Sequence, residues 1–241
     1  MHPNKNSLGQ PIDFPVPDWK PALHPVRKIL TGRFCNLEPL DAARHATDLY
    51  AANALAAEGR NWTYLPYGPF DSFLSYRSWL DQFSVTSDPL FFAIIDHATG
   101  KAVGVASFMR IDPANGSIEV GHLNFSPLMQ RTPVATEAMH LMMKEVFALG
   151  YRRYEWKCNA LNMSSRLAAQ RLGFSFEGVF RQAAVTKGCN RDTAWYATID
   201  KEWPALNEAF QSWLSPANFD GGGKQRVSLS KLTQPILVRQ G

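Results

Sequence analysis

The sequence predicts an α/β (α+β) domain with a mixed, twisted, mostly antiparallel sheet, one parallel strand pair and helices on both faces. Strand-like apolar runs joined by His97-Ala98-Thr99-Gly100 and Asp112-Pro113-Ala114-Asn115-Gly116 indicate an antiparallel meander. A helix then links the third strand to a short fourth strand, and such a crossover favours parallel pairing. A final strand pair, turned at Gly188-Cys189-Asn190, is expected to be antiparallel.

The first part of the chain is dense in proline. Six prolines fall between Pro3 and Pro25, a density that forbids regular helix and favours an extended arm over residues 1–28. Its apolar residues, which could dock on a surface, are Phe14, Val16 and Trp19. A strand over 32–38 follows, and Asp41 caps a helix over 42–57.

An aromatic loop over 60–73 leads to a second helix with one apolar face, formed by Tyr76, Trp79, Leu80 and Phe83. This loop could form the wall of a substrate pocket. Strands are predicted at 90–96, 101–111, 117–125, 154–158, 176–187 and 193–199, and further helices at 133–149, 163–172 and 203–214. One domain therefore spans 29–214. Residues 215–241 lack a periodic pattern and are expected to form a tail, with a short strand at 235–238.

The composition limits the function classes. The chain has 241 residues, a formal net charge of +4 and a sequence pI near 9.0. This mild basicity suits an anionic ligand, but without a clustered basic stripe it does not indicate nucleic-acid binding. No apolar run is long enough for a membrane helix, and the polar N-terminus is not a secretory signal. Cys35, Cys158 and Cys189 match neither a disulfide framework nor a metal site, so a cytoplasmic protein without metal is expected.

The stretch 123–138 carries the clearest functional pattern. An apolar strand is followed by a turn with two prolines and then by a helix that starts at Thr132-Pro133. Proline suits a first helical position, because the N–H there has no partner inside the helix. The free N–H groups of the next turn and the helix dipole make such a start suitable for a phosphate or pyrophosphate.

A second strand-to-helix turn lies at Asn162-Met163-Ser164-Ser165-Arg166, after the predicted crossover strand. Ligands collect where neighbouring strands of an α/β sheet end and their helices begin. Residues 130–136 and 162–166 are therefore predicted to lie beside one crevice.

These motifs resemble the GNAT acetyltransferase superfamily, and within it the ribosomal-protein N-terminal (serine/alanine) acetyltransferase-like branch. The acetyl-CoA motif of that family matches the run from Phe125-x-Pro127 to Thr136-Glu137-Ala138 in register. Its second motif matches Asn162-x-x-Ser165 followed by Arg171-Leu172-Gly173-Phe174, and Ile118-Glu119-Val120-Gly121 matches its central strand. The similarity covers about residues 30–205, and it implies the GNAT-like sheet with its parallel pair at the cofactor crevice.

The resemblance implies acetyl-CoA as co-substrate. Phe125 would pair its backbone with the pantetheine, and Asn162 and Ser165 would hold the pantetheine arm or thiol. The pyrophosphate would lie against Gln130, Arg131, Thr132, Val134, Ala135 and Thr136. Arg166 and Arg171, on the helix beside the crevice, are candidates for the adenosine 3′-phosphate. One departure is Pro133, which stands where the family usually has glycine and removes a backbone donor.

The chemistry requires a neutral amine, a polarised carbonyl and a proton for the leaving thiolate. Glu119 is in a position where family members often place a carboxylate that acts on the amine, and a structural salt-bridge role is the alternative. His122 could be a base, or a packed and hydrogen-bonded residue. Regular strand alternation would place Glu119 and His122 on opposite faces unless a bulge intervenes.

The general acid is left open. Ala169 stands where many family members have a tyrosine, so Asn162, Ser165 or water would have to act, with Tyr196 as a distant candidate. Cys158 is interpreted as structural, because it has no evident histidine partner.

The leading hypothesis is therefore an acetyl-CoA-dependent N-acetyltransferase that acts by direct transfer on a protein N-terminus or a small amine. The alternative is a catalytically silent acyl-CoA-binding module with a regulatory or interaction role. No nucleic-acid or membrane partner is expected. The arm and the tail could each reach a second copy, so a homodimer stays open.

Overall fold

The computed structural model describes residues 4–241, and it has the predicted fold class. An eight-stranded sheet has the order β3-β4-β5-β6-β7-β8-β10-β9, and all neighbours are antiparallel except β7 and β8, which are parallel. These strands are β3 (Leu30–Thr31), β4 (Cys35–Pro39), β5 (Leu90–Asp96), β6 (Lys101–Asp112), β7 (Ser117–Phe125), β8 (Arg153–Asn159), β9 (Ser175–Thr186) and β10 (Cys189–Ile199).

Helices cover both faces of this sheet and define two apolar cores. The helices are α1 (Ala42–Ala54), α2 (Phe73–Ser84), α3 (Pro133–Ala148), α4 (Met163–Arg171), α5 (Trp203–Leu214) and α6 (Leu229–Thr233). Helices α1 and α2 pack on one face, with Leu49, Trp79 and Phe91 in the core. Helices α3 and α5 pack on the other, with Met142 and Phe210 among the fully buried side chains. We call these the α1/α2 face and the α3 face.

The edge of the sheet before α1 differs from the single predicted strand. Residues 32–38 were expected to be one strand, but the chain forms the β3–β4 hairpin. The reason lies in α3, where the buried Glu137 carboxylate accepts backbone hydrogen bonds from Arg33, Phe34 and Cys35 at 2.8, 2.6 and 3.0 Å. A carboxylate contributed by a distant helix thus fixes the turn of the hairpin.

The two ends of the chain also pack on the domain. Residues 4–28 contain a small hairpin of β1 (Asn4–Lys5) and β2 (Pro11–Ile12), and then run over the surface. There the Trp19 indole donates to the Ala114 carbonyl at 2.9 Å, whereas Phe14 and Val16 stay largely exposed. Residues 1–3 of the predicted arm lie outside the described residues.

Residues 215–241 are more ordered than a tail. They contain α6, whose Leu229 is fully buried, and two short 3-10 helices, Pro216–Asn218 and Gln234–Ile236. The predicted strand at 235–238 is wrong, because the chain forms the second of these 3-10 helices there. The Arg239 carbonyl nevertheless accepts from the Phe176 N–H at 3.0 Å, at the free edge of β9. The division at residue 214 stays a prediction.

Candidate functional site

The parallel strands β7 and β8 separate part-way along their length. They pair from Ser117 with Arg153 to Val120 with Trp156, and beyond that point each strand continues without the other. Residues 121–125 and 157–159 therefore flank an opening at the carboxyl ends of the two strands. Helices α3 and α4 begin just beyond it, so the structure brings the two predicted strand-to-helix turns to the same crevice.

The turn between β7 and α3 is held by its own backbone. The Ser126 carbonyl accepts from the N–H groups of Met129 and Gln130 at 3.1 and 3.2 Å. The Gln130 side chain donates to the Phe125 carbonyl at 2.8 Å, so it closes back on the strand end. Arg131 is exposed and adopts a left-handed backbone with φ of 60°. Phe125 and Gln130 are thus neighbours.

Helix α3 begins without a side-chain cap. The Thr132 hydroxyl donates to the Met129 carbonyl at 2.7 Å instead of accepting from the helix, and Pro133 has no N–H. The N–H groups of Val134 and Ala135 belong to the first turn of the helix, and N–H groups there have no hydrogen-bond partner within the helix. That turn also contains no acidic residue. An uncapped, half-buried helix start is a place for an anion.

Arg171 reaches this helix start from the end of α4. Its two terminal nitrogens each lie 3.1 Å from the Thr136 hydroxyl, and its guanidinium lies 5.1 Å from the Trp213 ring centroid. Burial lowers the pKa of Arg171 below its ordinary value. No ion pair to Arg171 is found in the described part of the chain, so a half-buried positive charge lies beside the free N–H groups of α3.

Arg166, one turn earlier in α4, points elsewhere. Its Nε donates to the Tyr196 hydroxyl and its Nη1 to the Ala160 carbonyl, both at 3.1 Å. Of the two arginines, Arg171 is therefore the better candidate to bind an anion. The roles of both remain predictions. Tyr196 is fully buried, and that burial raises its pKa.

Asn162 and Ser165 join the start of α4 to β8. The Asn162 amide oxygen accepts from the Ser165 N–H at 3.1 Å, and the Ser165 hydroxyl accepts from the Trp156 indole at 3.0 Å. Both side chains thus have structural partners and also lie at the mouth of the opening. Cys158 is buried in the same place, and burial raises the pKa of its thiol, which disfavours a nucleophilic thiolate.

A bulge in β7 places His122 on the α1/α2 face. The pairing with β6 shifts between Val105–Asn124 and Ser107–Gly121, so β7 has one extra residue there, and His122 has φ of 52°. Its ring lies 5.0 Å from the Phe91 centroid, and the Tyr67 hydroxyl is 3.1 Å from its Nδ1. Burial lowers the pKa of His122 to about 4, and the Arg110 guanidinium contributes further.

Glu119 lies on the same face, so the bulge brings the two candidates together. The Glu119 residue is 3% exposed, and its Oε2 accepts from Arg110 at 2.7 Å and pairs with Lys157 at 2.8 Å. Lys157 also pairs with Glu155 at 2.7 Å. The pKa of Glu155 would rise through burial, but hydrogen bonds from Lys157 and Arg153 lower it below its ordinary value.

Sequence reasoning missed Arg110 and Lys157. Strand alternation does place Lys157 on the face of Glu155, and Glu155 is the cross-strand partner of Glu119. That register was the signal that could have identified Lys157. Arg110 could not be found in this way, because a bulge in β6 rather than regular alternation directs it.

The aromatic loop and the β9–β10 hairpin meet across this face. The Lys187 ammonium, at the hairpin turn, donates to the Trp62 carbonyl at 2.9 Å. The Tyr64 hydroxyl donates to the Leu161 carbonyl, ahead of α4, at 3.4 Å. Together with the Tyr67–His122 contact, these bonds place the aromatic loop along the crevice, and its role as the wall of a substrate pocket stays a prediction.

No helix within residues 4–241 combines the length and apolar character that crossing a bilayer requires. In the same range, no group of three or more histidine, cysteine or acidic side chains is arranged to hold a metal ion. The absence of a metal stays a prediction.

Comparisons with known proteins agree with this geometry. The family model described as acetyltransferase (GNAT) domain matches residues 35–175. A GCN5-related N-acetyltransferase from Brucella melitensis is 49% identical, has a TM-score of 0.89 and aligns over 91% of this chain and 100% of its own. A GNAT-family protein from Chromobacterium violaceum ATCC 12472 is 39% identical, with a TM-score of 0.75 over 81% of this chain and 98% of its own.

A curated relative is the ribosomal-protein-serine acetyltransferase of Escherichia coli (strain K12). It is 32% identical over 100 residues, which are 41% of this chain. The match spans only 55% of that relative's length.

Proposed function

We propose that this chain, which belongs to the acetyltransferase (GNAT) family, transfers an acetyl group from acetyl-CoA directly to a primary amine in a ternary complex. The observation that carries the proposal is the separation of β7 from β8 beside the uncapped start of α3. Acetyl-CoA would supply the reactive thioester.

The residues of the crevice fit that cofactor. The N–H groups of Val134 and Ala135, with the Thr132–Thr136 turn around them, would hold the pyrophosphate together with Gln130 and Arg131. Arg171 would contribute its unpaired charge to a phosphate. The backbone of β7 from Gly121 to Phe125 is unpaired on its β8 side, so it is free to bond an amide of the pantetheine.

The acceptor would approach on the α1/α2 face, where Glu119 and His122 lie. Two cations bind the Glu119 carboxylate, and burial lowers the pKa of His122 to about 4, so the His122 imidazole is a weak base at neutral pH. An amine that is partly neutral in solution therefore suits the site. About a third of α-amino groups are neutral near pH 7.5, against roughly 0.1% of lysine side chains.

A protein N-terminus is thus the first acceptor to test, and the named activity of the Escherichia coli relative is consistent with it. A small amine of low basicity is the second. Glu119 would bind the amine, and Asn162 and Ser165 would lie beside the leaving thiol. As the amide bond forms and the thioester C–S bond breaks, the proton lost by the amine nitrogen would reach the departing thiolate through Ser165 or water.

The test combines two measurements on the full chain. Isothermal titration measures acetyl-CoA binding, and thiol release measures turnover with peptides bearing N-terminal serine or alanine, their N-blocked lysine-containing versions, a polyamine and an amino sugar. We expect binding, turnover with free N-termini, and losses of turnover in Glu119→Gln and Asn162→Ala. Asn162→Ser, which keeps an N-cap oxygen, controls for the loss of the helix cap.

Two results would contradict the proposal. No acetyl-CoA binding would exclude the cofactor assignment. Binding without thiol release across the whole panel would instead favour a silent acyl-CoA-binding module, for which Pro133 and Ala169 are the departures from the family pattern.

A further inference from the structure

Two cationic side chains bind the same oxygen of the Glu119 carboxylate. Arg110 Nη1 lies 2.7 Å and Lys157 Nζ lies 2.8 Å from Glu119 Oε2. They come from the strands on either side of Glu119, β6 and β8. Within residues 4–241, no hydrogen bond or ion pair to Glu119 Oε1 is found. The carboxylate thus has one saturated oxygen and one free oxygen.

Arg110 is fixed by a bulge and by an acidic residue outside the sheet. It has φ of 48°, where the pairing of β6 with β7 shifts between Met109 and Asp112. The Asp88 carboxylate accepts from the N–H groups of Arg110 and Ile111 at 2.9 and 3.1 Å. A bulge held in this way re-aims a side chain, and here it directs the guanidinium to Glu119.

Lys157 is fixed by burial and by two neighbours. Its side chain is 8% exposed, it pairs with Glu155 at 2.7 Å, and its ammonium lies 3.8 Å from the Trp195 ring centroid. An ammonium buried against an aromatic face between two carboxylates has little freedom to move. The position of the Glu119 Oε2 contact is therefore set before any ligand binds.

The free oxygen lies beside the backbone of Gly121, two residues on and on the same face. A Cβ built at Gly121 would lie 3.9 Å from Glu119 Oε1, and the Met109 side chain occupies the position of that Cβ. Gly121 is also the first residue of β7 beyond the segment that pairs with β8, so Oε1 lies next to the opening.

We propose that Arg110 and Lys157 are positioning residues. They bind Oε2 of Glu119, so that Oε1 alone is available to accept a hydrogen bond from an N–H of the incoming amine. The proposal rests on the proposed function. Because both cations bind Oε2, Oε1 is left as the hydrogen-bond acceptor that orients the amine lone pair. Asp88 acts indirectly, because it holds the backbone bulge that directs Arg110 to Glu119.

The test is steady-state kinetics of Lys157→Met, Lys157→Arg and Asp88→Asn with the best acceptor of the amine panel. In Lys157→Met we expect the KM for the amine to rise by about tenfold or more, because a hydrogen bond to a charged group is lost. The KM for acetyl-CoA should stay within about twofold. Lys157→Arg should restore most of the amine KM, and Asp88→Asn should raise it less.

Lys28→Met controls for the loss of a lysine–glutamate ion pair away from the site, because Lys28 pairs with Glu145 at 2.8 Å on the α3 side. Its kinetics should match those of the unchanged chain. A double variant distinguishes a positioning role of Lys157 from a general structural role. If Lys157 acts through Glu119, adding Lys157→Met to Glu119→Gln should change the amine KM by less than about twofold. A structural role would make the two losses multiply.

The outcomes separate the two proposals. If the unchanged chain binds no acetyl-CoA or turns over no amine, the proposed function fails and this inference fails with it. If the unchanged chain is active and Lys157→Met leaves the amine KM unchanged, or raises both KM values together, the positioning role alone is overturned.

Discussion

Replacing Pro133 by alanine would test the proposed anion site at the start of α3. Thr132 donates its own N–H to the Met129 carbonyl at 3.3 Å, and Pro133 has none, so the first turn offers the N–H groups of Val134 and Ala135. Pro133→Ala adds a third at the first helical position. A hydrogen bond from this N–H to a charged phosphate oxygen contributes about 1.5 kcal/mol, which corresponds to roughly tenfold tighter binding of acetyl-CoA.

The same change should weaken the unliganded fold. Proline restricts the unfolded chain, so Pro133→Ala should lower the free energy of unfolding by about 0.4–1 kcal/mol. The two effects have opposite signs, which separates them. Isothermal titration gives the Kd for acetyl-CoA, and urea unfolding without ligand gives the stability.

Pro127→Ala is the matched control, because Pro127 lies in the same turn but precedes the helix. It should change the Kd by less than about twofold. If Pro133→Ala binds acetyl-CoA no tighter than the unchanged chain, or if Pro127→Ala tightens binding equally, the assignment of the pyrophosphate to this helix start is refuted.

Three further predictions follow from contacts described above. Glu137→Gln places an amide opposite three backbone donors, so we expect urea unfolding to show a loss of about 2–4 kcal/mol, whereas a change below about 0.5 kcal/mol would contradict the role of Glu137. The folded pKa of His122 is about 4 against an ordinary 6.5, so the unfolded chain binds more protons between these values and stability is lost as the pH falls through them. This histidine should contribute about 2 kcal/mol of that loss at about pH 5, and unfolding of His122→Phe measured at about pH 7 and 5 should show a smaller difference than the unchanged chain. Arg171→Met should weaken acetyl-CoA binding about tenfold in titration, whereas Arg166→Met, on the same helix, should leave it within about twofold; the reverse order would exclude the anion role of Arg171.

Much of the fold could be predicted because its signals are local. The N-cap Asp41, the Thr132-Pro133 helix start and the turn residues around Gly116 each act within a few positions, and the structure agrees with all three. The parallel pairing of β7 and β8 followed from a general rule about crossovers. These features need no knowledge of the rest of the chain.

The parts that could not be predicted depend on distant partners. The β3–β4 turn exists because Glu137 binds its N–H groups, and the C-terminal segment packs through Leu229 without any periodic pattern in its sequence. In the candidate site, the neighbourhood of Arg110 depends on a bulge held by Asp88. A single sequence contains these residues but not the register that brings them together.

The extra residue at His122 gives β7 two phases. Before the bulge, Ile118 and Val120 face the α3 core, and after it Leu123 and Phe125 do so, although regular alternation would turn them the other way. The half of β7 before the bulge and the half after it are therefore out of step by one position. A change in length at this point would exchange buried and crevice-facing side chains over the whole second half, whereas substitutions within either half leave the other in phase.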